Sequence, residues 1–221
     1  MIEIKHKDTG IVLHRVDADS LEGLALSALQ LAGANFVGFN LVRVNFRNSD
    51  LRNADFTGAK LAGANFYEAS LGGAVLDRVE APKAEFTEAV LEGTHAHNAN
   101  FSGSNFRYSK LPHGDFTGSK FVKCDMSVAD ARGNFSNADL SETDLRGTKL
   151  EGAVLRYAEL AKARLDGANL LKADLTHASY TPQQLHNARA TGVVGRSKLE
   201  AMKKQRRAWW RQMRWSNPAN C

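Results

Sequence analysis

The chain has 221 residues, 43% hydrophobic and 24% charged, with a net charge of +5. That balance is ordinary for a globular protein and argues against general disorder. No apolar run approaches the roughly 18 residues of a transmembrane segment, and the first ten residues lack the basic-then-apolar pattern of a secretory signal, so a cytoplasmic location is expected.

The charge is divided along the chain. Residues 1–180 hold 20 Lys/Arg against 23 Asp/Glu, whereas residues 181–221 hold nine against one. A mildly acidic body precedes a strongly basic tail. The two cysteines, Cys124 and Cys221, are too few for a disulfide framework and lack zinc spacing, so both are expected to be reduced thiols.

At the N-terminus, Ile2-Glu3-Ile4-Lys5 and Ile11-Val12-Leu13 flank Asp8-Thr9-Gly10. This reads as a β-hairpin within residues 1–20, placed to cap the repeats that begin after it.

From Leu26 a large apolar residue recurs at every fifth position, through Phe36, Phe46, Phe56, Phe66 and Leu76, and past Ala81 through Phe86 and Leu91. Beyond Ala96 the same phase continues from Phe101 to Met126. After a one-residue slip it resumes at Phe135 and runs to Leu175 and Tyr180. Two positions before most of these stands a small residue, as at Ala34, Ala54, Ala64, Ala99, Ser104, Ala138 and Thr143; Phe39, Val44 and Val79 are exceptions.

A period of five fits neither the 3.6 of a helix nor the 2.0 of a strand. It is satisfied if the backbone turns once per repeat, with the large and the small residue facing an axis and the other three facing water. Phe46, Phe66, Phe86 and Phe106 lie 20 apart, as do Leu31, Leu51, Leu71, Leu91 and Leu111, which predicts four sides per coil and stacked columns. The fold class expected over residues 21–180 is an all-β solenoid of about eight coils.

Ala34-Asn35-Phe36, Ala54-Asp55-Phe56, Ala64-Asn65-Phe66, Ala99-Asn100-Phe101, Ala138-Asp139-Leu140, Ala168-Asn169-Leu170 and Ala173-Asp174-Leu175 resemble the Ala-Asp/Asn-Leu/Phe-x-x signature of pentapeptide repeat proteins. The resemblance implies a right-handed quadrilateral β-helix. It also implies one specific activity, since some members protect DNA gyrase or topoisomerase IV by imitating duplex DNA with an acidic face.

The slip falls at Ala131-Arg132-Gly133-Asn134, where Gly133 is expected to supply backbone freedom. It is either a deletion tolerated at a corner or a bend that shapes a surface. Past the repeats, residues 181–221 are expected to be C-terminal helices. Thr181-Pro182-Gln183-Gln184-Leu185 carries the N-cap and first-turn signature of a short helix, a plug for the far end.

The tail then places Leu199, Met202, Trp209, Trp210 and Met213 on one helical arc, with a basic arc beside it. Its candidate partner-binding residues are Lys203, Lys204, Arg206, Arg207, Trp209, Trp210, Arg211, Arg214 and Trp215. Three occupants stay open for it: the rod or a second copy, giving a homodimer through the C-terminal region; nucleic acid; and an anionic membrane surface or a partner protein's groove.

Catalytic signatures are missing: the sequence holds no phosphate loop, nucleophile elbow or HExxH motif. His95 and His97 flank the inward Ala96 and make an incomplete metal pair, and Cys124 falls on a small inward position. No enzyme, cofactor or metal is expected. The preferred reading is an interaction scaffold for a protein partner, with the DNA mimic second, because Arg43, Arg47, Arg52, Lys60 and Lys120 break up the acidic residues of the body. A mimic requires one face dominated by Asp and Glu; a scaffold tolerates mixed charge.

Overall fold

The structure is a computed structural model and describes residues 1–195. It opens with two antiparallel strands, β1 (Ile2–Lys5) and β2 (Val12–Val16), with a register shift between Ile4 and Lys5. Ile4 is fully buried, and the end of β1 lies on the edge of the stack. Lys7 N donates to Gly33 O at 2.8 Å, Asn35 N donates to Lys5 O at 2.8 Å, and His6 bridges Ala34 in antiparallel sense. That stretch of the first edge therefore has backbone partners.

The remainder is a parallel ladder of short bridges between residues 20 apart, such as Asn45 to Asn65 to Glu85 to Asn105. Most repeats turn in the same way. The carbonyl of the central residue accepts the N–H three residues later, as in Val44 N to Leu41 O at 3.1 Å, and the third turn residue has positive φ, 58° at Arg43 and 69° at Gly33. That φ is the mark of a type II turn. The central N–H donates to the coil above, as in Phe46 N to Asn65 O at 2.7 Å, so the backbone is satisfied from coil to coil.

The large residues form four inward columns, named for Phe46, Leu51, Phe56 and Leu61. Phe66 stacks on Phe86 at 4.8 Å and 3°, and Phe86 on Phe106 at 4.6 Å and 5°. Neighbouring columns meet edge to face, as Phe46 does Phe56 at 6.0 Å and 81°. Burying each such ring contributes about 1.5–3 kcal/mol.

Three turns are built differently. Ser104 Oγ accepts Ala84 N at 2.9 Å and donates to Ala81 O at 2.7 Å, so a hydroxyl from the next coil stands where the direct turn bond would be. Ser49 does the same between Leu29 and Leu26, and Ser119 between Ala99 and Ala96. Position two before the centre thus takes Ser for hydrogen bonding as well as Ala for size.

The slip shortens one coil. Asp115 bridges Asn134, 19 residues on, as do the pairs Lys120 to Asp139, Asp125 to Asp144 and Asp130 to Lys149; the spacing returns to 20 at Asn134 to Val154. Gly133 N donates to Ala131 O at 2.9 Å, closing a three-residue turn in place of the usual four-residue one. Gly133 is not among the positive-φ glycines. What requires glycine is space: a Cβ there would stand 2.6 Å from Gly114 O.

Beyond residue 180 the expected plug is a 3-10 helix of one turn, Pro182–Leu185. Thr181 accepts Gln184 N, the Gln184 side chain returns to the Thr181 backbone, and its Nε2 donates to Leu160 O at 2.6 Å. The ladder continues past it, through Asn169 to Arg189 and Asp174 to Val194.

Candidate interaction surface

Within each side of the coil, the residues just before and just after the central one both face outward, in the alternation of a strand. This sets Asp/Arg pairs side by side on one coil. Arg52 grips Asp50 through two nitrogens at 2.8 and 2.6 Å, and Arg132 on Asp130 and Arg146 on Asp144 repeat the arrangement. The guanidinium holds each carboxyl below its usual range, against the opposing effect of burial.

The Phe56 face carries a histidine between two carboxylates. His97 Nδ1 lies 2.9 Å from Asp77 Oδ1, one coil below, and Nε2 lies 3.3 Å from Asp115 Oδ2 above. Burial opposes the imidazolium, but the Asp115 hydrogen bond and the charges of Asp77 and Asp115 outweigh it and raise the pKa above 6.5. Asp115 also accepts from Thr117 Oγ1 at 2.5 Å and Asn134 Nδ2 at 3.1 Å. His95 stays outside this network with its ring 6.1 Å from that of His97, and among the described residues no three metal-ligating side chains converge.

The Phe46 face joins aromatic rings to arginines. Arg47 lies over Tyr67 at 4.4 Å and Arg107 over Tyr108 at 4.9 Å, with Glu68 and Glu88 in the column of Tyr108 and Glu85 between Asn65 and Asn105. On the Leu61 face, Lys60, Lys120, Glu80 and Asp139 alternate, and its corner carries the exposed Arg43, Lys83, Lys123 and Lys162. The Leu51 face mixes Asp50, Arg52, Glu92, Lys110 and Lys149. Every face therefore presents both signs of charge.

Cys124 is buried, its Sγ donates to Phe101 O at 3.0 Å, and burial pushes its pKa up to about 12. It packs in the core, as the small inward position requires. The tail candidates Lys203, Lys204, Arg206, Arg207, Trp209, Trp210, Arg211, Arg214 and Trp215 lie outside the described residues. Sequence reasoning passed over Tyr67, Arg107, Tyr108 and Val128; for Tyr108 and Val128 the available signal was bulk at the third turn position, which holds Gly or Asn in many other repeats.

The family model described as Pentapeptide repeats matches in eight copies, over residues 26–61, 40–78, 84–121 and 134–170, more than half of the chain. The chain belongs to the pentapeptide repeat family. Its fold is the family's β-helical solenoid. Among solved structures, HetL from the cyanobacterium Nostoc sp. strain PCC 7120, a pentapeptide repeat protein involved in heterocyst differentiation regulation, is 24% identical; the match covers 80% of this chain and 84% of that one, with a TM-score of 0.62. A trypsin-treated form of QnrB1, a plasmid-mediated fluoroquinolone resistance protein, is 18% identical over 86% of this chain and 95% of that one, with a TM-score of 0.51. At these identities the likeness is one of fold. No curated protein matches. Among the described residues no helix is long and apolar enough to cross a membrane.

Proposed function

We propose that this pentapeptide repeat protein is a non-catalytic scaffold that presents flat β-helix faces to a protein partner in the cytoplasm. The observation that carries this reading is the fixed mosaic of charge on all four faces, with Arg and Tyr, the residue types that dominate binding energy, held outward on the Phe46 face. In this reading about eight right-handed coils form the rigid part, the hairpin within residues 1–20 covers one end, and the basic residues 181–221 close and tether the other. Among the described residues the rod presents flat faces, whereas catalytic pKa values are set in irregular, partly buried clefts.

The resistance named for QnrB1 and the family resemblance motivate a second reading, a modulator or protector of DNA gyrase or topoisomerase IV that imitates DNA. Imitation needs a continuous acidic face. The Leu61 corner carries Arg43, Lys83, Lys123 and Lys162, with Glu142 beside Lys123 at 4.0 Å, a mixture rather than an acidic run, which places the scaffold first.

The test is affinity capture from cell lysate with the full chain and a chain ending at Gly195, each at low and high salt. A protein that survives both salt and truncation supports the scaffold. Capture of gyrase by either chain moves the assignment to the second reading. Nucleic acid held only by the full chain and released by salt gives the function to the tail and overturns the scaffold.

A further inference from the structure

Two exposed apolar side chains stand where the backbone least tolerates them. Tyr108 and Val128 are 46% and 48% exposed and have φ of 59° and 60°. A left-handed residue with a branched Cβ is a genuine outlier, and water offers valine nothing in return. The flanking coils solve the same corner with Gly147 and Gly167 on one side and with Glu68 and Glu88 on the other. Tyr157 shares both costs, but its ring stacks on His177 at 4.9 Å. Tyr108 is held by its chain neighbour Arg107, 4.9 Å over the ring, but the turn needs neither Tyr108 nor Val128, since each neighbouring coil closes this corner without an exposed apolar group.

We infer that this corner is a contact between two copies of the chain, packed antiparallel about a two-fold axis between Tyr108 and Val128. The corner column reads Glu68, Glu88, Tyr108, Val128, Gly147, Gly167, and it is complementary to its own reverse. Turned end for end, Tyr108 meets Val128 of the second copy, and each glutamate meets a glycine. Glu88 then passes over Gly147, where the nearest atom to an added Cβ is Val128 Cγ2 at 3.8 Å, toward Lys149 of the other copy, beside the Arg146 that Asp144 already holds. A parallel arrangement would set Glu88 against Glu88. An isologous contact of this kind is the commonest form of protein self-association. The ridge is about 24 Å long, five steps at ~4.8 Å, and narrower than a standard interface of about 800 Å² a side, so the dimer is weak and dependent on concentration.

Sedimentation velocity of the full chain over a wide concentration range reads this directly. A reversible monomer–dimer equilibrium is expected. Val128→Asn should weaken it by about tenfold or more and leave the melting temperature equal or higher, because Asn accepts left-handed backbone. Glu88→Lys and Lys149→Glu should each weaken the dimer, and together restore it. A monomer at every concentration overturns the inference, and so does a dimer that none of these variants changes, as association through the C-terminal region would give. Neither outcome bears on whether another protein binds the rod.

Discussion

Ser104 shows how a side chain chosen for size also carries hydrogen bonds. Its hydroxyl joins Ala84 N and Ala81 O, both buried, which have no direct bond to each other. Ser104→Ala keeps the size but strands both groups, so a loss of about 1–3 kcal/mol is expected in denaturant unfolding; a variant as stable as the parent would mean that the turn simply closes. His97 is a residue-scale case with a pH dependence. Its pKa is raised on folding, so its ion pairs stabilise fully below its ordinary 6.5 and fade as pH rises through the folded value. Asp115 works in the opposite sense. Burial resists its ionisation, but hydrogen bonds from Thr117 and His97 lower its pKa, and its contribution is lost as pH falls through that lowered value. Stability from this cluster is greatest between the carboxylate range and the raised histidine value. The His97 side chain is 40% exposed, so the effect is small. His97→Gln should cost about 0.5 kcal/mol at mildly acid pH and little in alkali. Equal losses at both would remove the ion pairs from the explanation.

At the scale of one coil, the short repeat is held by the approach of two backbones. Gly133 and Gly114 occupy the same small position in adjacent coils, and a Cβ on Gly133 would strike Gly114 O. Gly133→Ala is therefore expected to cost about 1–3 kcal/mol in unfolding experiments, more than alanine costs at Gly72, where φ is not positive and an added Cβ would come no nearer than 3.7 Å, to Glu92 O. If the two substitutions cost the same, the close approach does not matter. The columns of Phe and Leu, the period of 20 and the hairpin were legible in the sequence, because burial repeats and hydrophobicity reports it. The slip was legible in position but not in cause: a glycine needed for space and one needed for φ are the same letter. The serine bridges were hidden because Ser and Ala are nearly equal in volume. The His97 cluster was half visible, since Asp77 lies one full coil away and Asp115 sits on the diagonal. Tyr108 and Val128 escaped a reading that searched for inward residues.

For the whole molecule, the columns tie each coil only to its neighbours, so stability is a sum of stacked interfaces. Leu61, fully buried in its column, tests that coupling. Leu61→Asp places an unpaired charge between the buried Leu41 and Ala81 of its column and is expected to abolish the single cooperative melt in thermal unfolding followed by circular dichroism. An unchanged transition would show that the axis does not act as a continuous core.

The ladder also constrains how such a chain changes length through inheritance. Outside the short coil every parallel bridge joins residues 20 apart. Duplication or loss of one whole coil's coding segment returns every side chain to its column and moves the far end by about 4.8 Å. An increment of one, two or three repeats keeps the large residues inward but turns the downstream faces by as many sides, and one that is not a multiple of five needs a local device such as the facing glycines at Gly133. The rod is thus a ruler graduated in whole coils, the one step that changes its length and leaves every face where it was.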